Sequence, residues 1–297
     1  MISVLCLGIA TQDHVYGVPG FPTTGEKHRA HSVEIVGGGI AANASVAVAR
    51  LGGRALLASR LGEDSTGRNI IEALEAEGVD CSLCRRFPGL KSSSSAVLVD
   101  GAGERMVINY ADPGIPDDPS WLPADLPRGV QSVMADTRWQ AGALRMFGAA
   151  RAAGAFGVLD GDRAPENREL LSAATHLVFA MQAAREMTGH DDALQAIRAF
   201  PAPDHVSLAI TDGVRGTYLR QGREIIVTPA FPVTAVDTLG AGDVFHGAFA
   251  YALAAGMDEL QAIRFSSATA AIKCTRFGGR AGAPRLAEVE AFLRERA

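Results

Sequence analysis

Residues 237–256 read "DTLGAGDVFHGAFAYALAAG". An extended segment gives way to a Gly-rich turn, then to a helix starting near Asp243. Gly240 and Gly242 are out of place in the first turn of a core helix, because each is worse there than Ala. What the position gains is bare backbone. A helix N-terminus offers free N–H groups and a partial positive charge, and so attracts anions. Gly240, Ala241 and Gly242 let a phosphate approach those groups without meeting a side chain. An acid beside a bound phosphate is repelled by it, so Asp243 makes sense when it meets a hydroxyl about to attack that phosphate. The carboxylate then accepts the hydroxyl proton while the amides stabilise the transferring group. The plain alternative is a capped helix with an Asp in its first turn.

Around this stretch, short apolar runs alternate with Ala- and Leu-rich segments of helical period. Strands are expected at 2–9, 55–60, 131–135, 156–160, 176–180 and 206–211, and helices at 41–50, 66–77, 140–153, 183–188, 191–199, 243–255, 258–272 and 286–296. Strands separated by helices of this length imply right-handed crossovers and a mostly parallel sheet covered on both faces, an α/β fold. Two stretches carry no helix signal: 14–36, and 92–110, which alternates around "DGAG" as a hairpin should. They predict a small separate sheet, a lid able to exclude water from a site. The expectation is one domain over 1–297 with lid segments at about 14–36 and 92–110.

Composition narrows the partners. The 297 residues are 47% hydrophobic and 21% charged with a formal charge of −5, an ordinary globular balance without a basic footprint for nucleic acid. No uncharged run is long enough to span a bilayer, and the first residues lack a basic leader, so the expected location is cytoplasmic. Cys81 and Cys84 form a C-x-x-C, but no second pair or paired His spacing completes a zinc site. Reduced thiols are expected for Cys6, Cys81, Cys84 and Cys274.

Two further signals accompany the opening one. "VGGGIAANASVAVARLGG" places Gly37, Gly38 and Gly39 before a helix, with Asn43 in its first turn where the amide can face a ligand. "LAITDGVRGTYL" runs a buried strand into Thr211, Asp212, Gly213 and Gly216, then into another strand. No G-x-x-x-x-G-K-[ST] is present, so a nucleotide would not sit on a P-loop, and no early G-x-G-x-x-G supports a dinucleotide fold.

Together with the "RLGEDSTG" turn, these stretches resemble the PfkB family of ribokinase-like sugar kinases along essentially the whole chain. The resemblance implies a three-layer α/β/α sandwich with a small β-sheet lid. It makes Asp243 the catalytic base and the amides of Gly240, Ala241, Gly242 and Asp243 the anion hole. Asp13, Gly39 and Asn43 would hold the sugar; Thr211, Gly213 and Gly216 would line the ATP site. Mg²⁺ would bridge the phosphates through water, and a monovalent cation could bind near the C-terminal loops. The lid would pair two subunits in a homodimer. One departure is plain: where many members carry N-x-x-E, "VFAMQAAREMTG" has Ala180 and Ala183, so no direct metal ligand is assigned.

Within the family, "KSSSSAVLVDGAGERMVINY", "ADTRWQAGA", "VLDGDRAP" and "AIKCTRFGGRAG" resemble the bacterial kinases that phosphorylate 6-deoxy-6-sulfofructose at its C1 hydroxyl. The positions matching their sulfonate donors are Lys27, Asn109 and Arg138. A sulfonate is a permanent anion that only accepts hydrogen bonds, and an ammonium, an amide and a guanidinium only offer them. A neutral sugar would leave those donors unpaired. Kinases for fructose or another sugar, and a non-catalytic sugar sensor on the same scaffold, remain as alternatives. His246, just after Asp243, could assist proton transfer, but its place on the helix reads rather as a packing or surface residue.

Overall fold

Strand β1 (Ser3–Leu7) is buried along its whole length, and its side chains divide between two cores. Val4 and Cys6 point into one apolar cluster, Leu5 and Leu7 into the other. Such a strand must lie inside a sheet covered on both faces. The computed structural model, which describes residues 1–297 apart from Gly103 and Ala297, places it there.

The large sheet has nine strands in the order β13-β12-β11-β10-β9-β8-β1-β4-β5. Strands β4 (Arg54–Gly62), β5 (Asp80–Phe87), β8 (Ser132–Asp136), β9 (Phe156–Gly161), β10 (His176–Ala180) and β11 (Ser207–Thr211) run parallel with β1. Only β12 (Thr217–Gln221) and β13 (Glu224–Thr228) turn back as an antiparallel edge. Helices α1 (Ile40–Arg50), α2 (Ser65–Glu75), α7 (Ala241–Ala254), α8 (Glu259–Cys274) and α9 (Leu286–Arg294) supply the first core. Helices α3 (Gln140–Ala152), α4 (Leu170–Ala173), α5 (Met181–Thr188) and α6 (Ala193–Ala199) supply the second. This is the expected three-layer α/β/α arrangement. All four cysteines are free, and among the described residues no helix is long and apolar enough to cross a membrane.

The strand order reverses between β1 and β8, with β4 and β5 to one side and β9 to β13 to the other. Ligands of open α/β sheets bind outside the carboxyl ends of the strands at such a point. The expected strand 2–9 stops at Leu7 for this reason: the chain leaves the sheet at Gly8, where a Cβ would land on the Asp136 carboxyl.

The second sheet has four strands in the order β3-β2-β6-β7. Strand β2 (Thr11–Gly17) pairs antiparallel with β3 (Ser32–Gly38) and parallel with β6 (Ser94–Val99), and β6 forms a hairpin with β7 (Arg105–Tyr110). In the "DGAG" connection, Gly103 lies outside the described residues. Its register forms a cross-strand row Val36–Asp13–Ser95–Asn109 on one face. The adjacent positions put Val33, Ile35, Met106, Ile108 and Tyr110 on the other, all 40–64% exposed.

The pattern of apolar runs missed β5, the edge strand β13 and α4. Strand β5 lies at the sheet edge with a register shift against β4, and its Cys-Arg-Arg sequence carries no apolar run. Helix α4 is four residues long, too short to establish a period.

Candidate active site

Helix α7 begins two residues earlier than expected, at Ala241, with Gly240 as N-cap at φ 72°. In that left-handed region L-residues other than Gly are strained. No side chain caps the helix; Ala241 N–H donates to the Thr238 carbonyl at 3.2 Å, and the N–H groups of Gly242 and Asp243 stay available. Helix α1 packs beside it and begins on Gly39 at φ 94°, again without a side-chain cap. The two first turns meet through one bond: Asn43 Nδ2 donates to Asp243 Oδ2 at 2.7 Å.

Two cavities flank this junction. One, of about 550 Å³, is lined by Thr211, Gly213, Gly216, Phe231, Ala241 and Gly242, with small residues of α8. The other, of about 540 Å³, holds Asp13, Gly39, Asn43, Asn109, Arg138 and Asp243. Thus Thr211, Gly213 and Gly216 come together on one side of the α7 N-terminus, and most of the expected sugar-binding residues on the other. Lys27 is exposed on the segment between β2 and β3 and is not among the residues lining the second cavity.

Two polar atoms on residues lining the second cavity lack partners. Asp13 Oδ1 and Asn43 Oδ1 are buried without a hydrogen bond. A buried acceptor left unmatched costs stability, so such atoms mark where a donor is due. Burial pushes the Asp13 carboxyl up, against the opposing pull of Ser95 and Arg280.

Asp243 is pushed up to about 7, first by burial and then by the neighbouring Asp160, while the Asn43 bond and His246 pull it down. Asp136 is also raised to about 7, chiefly by burial. Its carboxylate accepts N–H groups from Ile9 at 2.8 Å and Arg138 at 2.8 Å, fixing the chain where β1 and β8 end.

The guanidinium of Arg138 pairs with Asp162, which lies just beyond the end of the neighbouring strand β9. Pattern reading also missed Arg60, Asp112 and Arg163, which line the same cavity. Arg60, two residues before the end of β4, stacks over Trp139 at 4.9 Å and donates to the Arg138 carbonyl at 3.0 Å. Its position near the end of a strand in the "RLGEDSTG" stretch was the available signal.

The loop before α7 is pinned by Asp237, the residue that opens the Gly-rich stretch. Its carboxylate accepts Leu239 N–H at 2.8 Å and Gly279 N–H at 3.0 Å. Two cations join it: Arg105 of β7 at 2.8 Å and the fully buried Lys273 at 3.2 Å. Lys273 Nζ also donates to the Asp237 carbonyl at 2.6 Å. The small sheet is thereby tied to the Gly-rich turn. At the expected N-x-x-E positions, Ala180 ends β10 and Ala183 is packed in the core, so neither side chain offers an oxygen to a metal.

The same architecture recurs in known proteins. A ribokinase of Haemophilus influenzae is 30% identical over 97% of this chain and 97% of its own. The crystal structure of a putative ribokinase from Agrobacterium tumefaciens superposes with a TM-score of 0.88 at 36% identity, over 99% of this chain and 98% of that one. An Arabidopsis thaliana ribokinase solved with ribose and ATP superposes with a TM-score of 0.85 at 24% identity, over 99% of each chain. The pfkB family carbohydrate kinase pattern matches residues 1–286. This chain is therefore a member of the PfkB family of carbohydrate kinases.

Proposed function

We propose that the chain transfers the γ-phosphoryl group of ATP to the C1 hydroxyl of 6-deoxy-6-sulfofructose, giving the 1-phosphate. The observation that carries the kinase reading is the place of Asp243 at the junction of the two cavities. ATP would occupy the cavity of Thr211, Gly213 and Gly216, its terminal phosphate on the amides of Gly240, Ala241, Gly242 and Asp243. The sugar would occupy the other, with hydroxyls on Asp13 and Asn43 and its chain against Gly39. Asp243 would accept the hydroxyl proton as the oxygen attacks. Because Asn43 spends its N–H₂ on Asp243, its unmatched Oδ1 is the atom left for a sugar hydroxyl.

Mg²⁺ would neutralise charge on the phosphates, held by phosphate oxygens and water, since Ala180 and Ala183 supply no ligand. Where the family resemblance implies a monovalent cation near the C-terminal loops, the Lys273 ammonium already lies on Asp237.

For the sulfonate, Asn109 and Arg138 stand in one cavity with Arg60 and Arg163 to add charge. Lys27 would join when the segment between β2 and β3 folds over the sugar. The Arg138–Asp162 pair favours a second reading, a kinase for a neutral sugar such as fructose or ribose, because that guanidinium is already matched. Assays with ATP and each sugar separate the two: the proposal expects a kcat/KM for sulfofructose well above those for fructose and ribose. Comparable values would sink it. Absence of turnover with every sugar would point to a sensor instead.

The small sheet would act as a lid whose outer face pairs two copies. Val33, Ile35, Met106, Ile108 and Tyr110 form an exposed apolar patch there, of the kind that marks an association surface. A homodimer in light scattering, broken to monomers by I35D, supports this; a monomeric wild type refutes it.

A further inference from the structure

His246 lies one helical turn beyond Asp243 on α7 and is 3% exposed. Its Nδ1 is 2.7 Å from the Gly242 carbonyl oxygen and 2.9 Å from Asp160 Oδ2. Its Nε2 is 3.1 Å from the Val178 carbonyl oxygen. The two carbonyls can only accept, and so can Asp160 as a carboxylate. A neutral imidazole has one donor and one acceptor nitrogen, so here one lone pair would face a carbonyl oxygen. The doubly protonated ring satisfies both sides, and a buried cation of this kind needs a buried anion beside it. Asp160, on β9 and equally buried, supplies it.

The neighbourhood contains few other charges. Strand β8 brings Asp136, and β1 has no ionisable side chain besides Cys6. On α1 the charged residue is Arg50, at the far end and paired with Glu77. On α8, Lys273 is bonded to Asp237, Glu259 to His176, and Arg264 donates to the carbonyl of Arg296. The 3-10 turn Gly279–Gly282 brings Arg280, which packs against Gly37. From these packed elements Asp243 meets two acids, Asp160 and Asp136, which both favour its protonated form, and the imidazole of His246, which opposes them; across the sugar cavity stand Asp13, Asp112, Arg163, Arg60 paired with Asp117, and Arg138 paired with Asp162.

The ring also acts through the backbone. The carbonyl of Gly242 and the N–H of Asp243 belong to one planar peptide unit. By bonding that carbonyl, His246 fixes the direction of an amide that opens the helix.

We propose that His246, carried as an imidazolium on Asp160, is a positioning residue that keeps Asp243 ionised and aims the Gly242–Asp243 peptide at the phosphate. The proposal rests on the reading of Asp243 as the base and adds the device that makes it one. Burial alone would lower the basicity of the ring; Asp160 together with the Gly242 and Val178 carbonyls outweighs it and pushes His246 up to about 9.

The test has two arms. In wild-type protein labelled with ¹⁵N-histidine, both ring nitrogens of His246 should be protonated at pH 7.5 and titrate only near 9. A ring that is neutral at pH 7.5 overturns the proposal, whatever the enzyme's activity. In the second arm, ¹³C shifts of the Asp243 carboxyl are followed against pH in wild type, H246N and H246N/D160N, with H246Q in reserve should H246N fail to fold. Loss of the cation should raise the Asp243 midpoint by about 1 pH unit or more, and the double variant should return toward wild type. The acid limb of kcat/KM should move in the same way, costing H246N about 10-fold at pH 6.5 and little at pH 9. An unmoved carboxyl midpoint overturns the proposal. A moved midpoint with an unmoved rate profile upholds the electrostatic pairing and rejects Asp243 as the base.

Discussion

Helices α1 and α7 begin alike and differ in what stands over their first turns. Each starts on a Gly with positive φ, Gly39 at 94° and Gly240 at 72°, and neither carries a side-chain cap. At α1 the glycines are consumed by packing. A Cβ on Gly37 would land on the Arg280 guanidinium, one on Gly38 on the Asp13 carboxyl, and one on Gly39 within 2.5 Å of the Ile9 carbonyl oxygen. At α7 the contacts are loose: a Cβ on Gly240 would come no nearer than 3.4 Å to Asn43 Nδ2, and one on Gly242 would meet nothing within 4 Å. That space belongs to the cavity lined by Thr211, Gly213 and Gly216. A glycine cluster therefore has two distinct meanings. One lets parts of the fold close on each other, and the other keeps a surface open for a ligand.

The sharpest contrast is between the two side chains that link these turns. Replacing Asp243 by Asn keeps the bond to Asn43 within reach but removes the base, so kcat should fall by about 10²–10⁴-fold. Nucleotide affinity, measured by calorimetry, should stay within a few-fold. Since burial raises the Asp243 proton affinity, stability from its neutral form is present at low pH and is lost as pH rises through about 7. D243N should accordingly melt above wild type at pH 8.5, with the gap narrowed to about half at pH 5.5 and closed only near about pH 4. A D243N enzyme with near-normal kcat would remove the distinction between the helices.

Next in size is Arg138. R138A removes a charge-assisted donor from the sugar cavity, and kcat/KM for a sulfonated sugar should fall by about 10–100-fold, the equivalent of 1.5–3 kcal/mol. A neutral sugar should be affected far less, and equal losses for both would assign Arg138 to structure through Asp162.

The smallest effects separate the two sets of glycines themselves. G39A forces an L-residue into the left-handed region against a carbonyl, costing about 1–2 kcal/mol from conformation alone, and should lower Tm or prevent folding. G242A should do the opposite to stability, since Ala is favoured over Gly in a helix by about 1 kcal/mol. It should nevertheless weaken ATP binding, because the added methyl enters the cavity. If both variants behave alike, the glycines of α1 and α7 do the same job.

The sequence was most legible where the signal is local. The Gly-rich start of α7, the Asn43 turn and the Thr211–Gly216 turn are contiguous strings, and each was found within two residues of its place. The crossover pattern likewise located β1, β4 and β8 to β11, because buried parallel strands are short apolar runs. What escaped depends on distant partners. Asn43 meets Asp243 across 200 residues, and no string shows that its amide is spent on the carboxylate. Arg60, Asp112 and Arg163 are single charged residues at strand ends or in loops, chemically ordinary until the fold gathers them. His246 looked like a packing or surface residue because Asp160 and Val178, which give it a charge, come from two other strands. Lys27 was assigned by likeness to a subgroup of the family, yet it lies on an exposed segment away from the cavity lining.

The most direct measurement is a crystal structure with a non-hydrolysable ATP analogue and the sugar together. The account predicts the acceptor hydroxyl within about 2.6–3.2 Å of an Asp243 carboxylate oxygen, with the terminal phosphate against the amides at the start of α7. A terminal phosphate bound away from that helix, or an acceptor hydroxyl out of reach of Asp243, would contradict it.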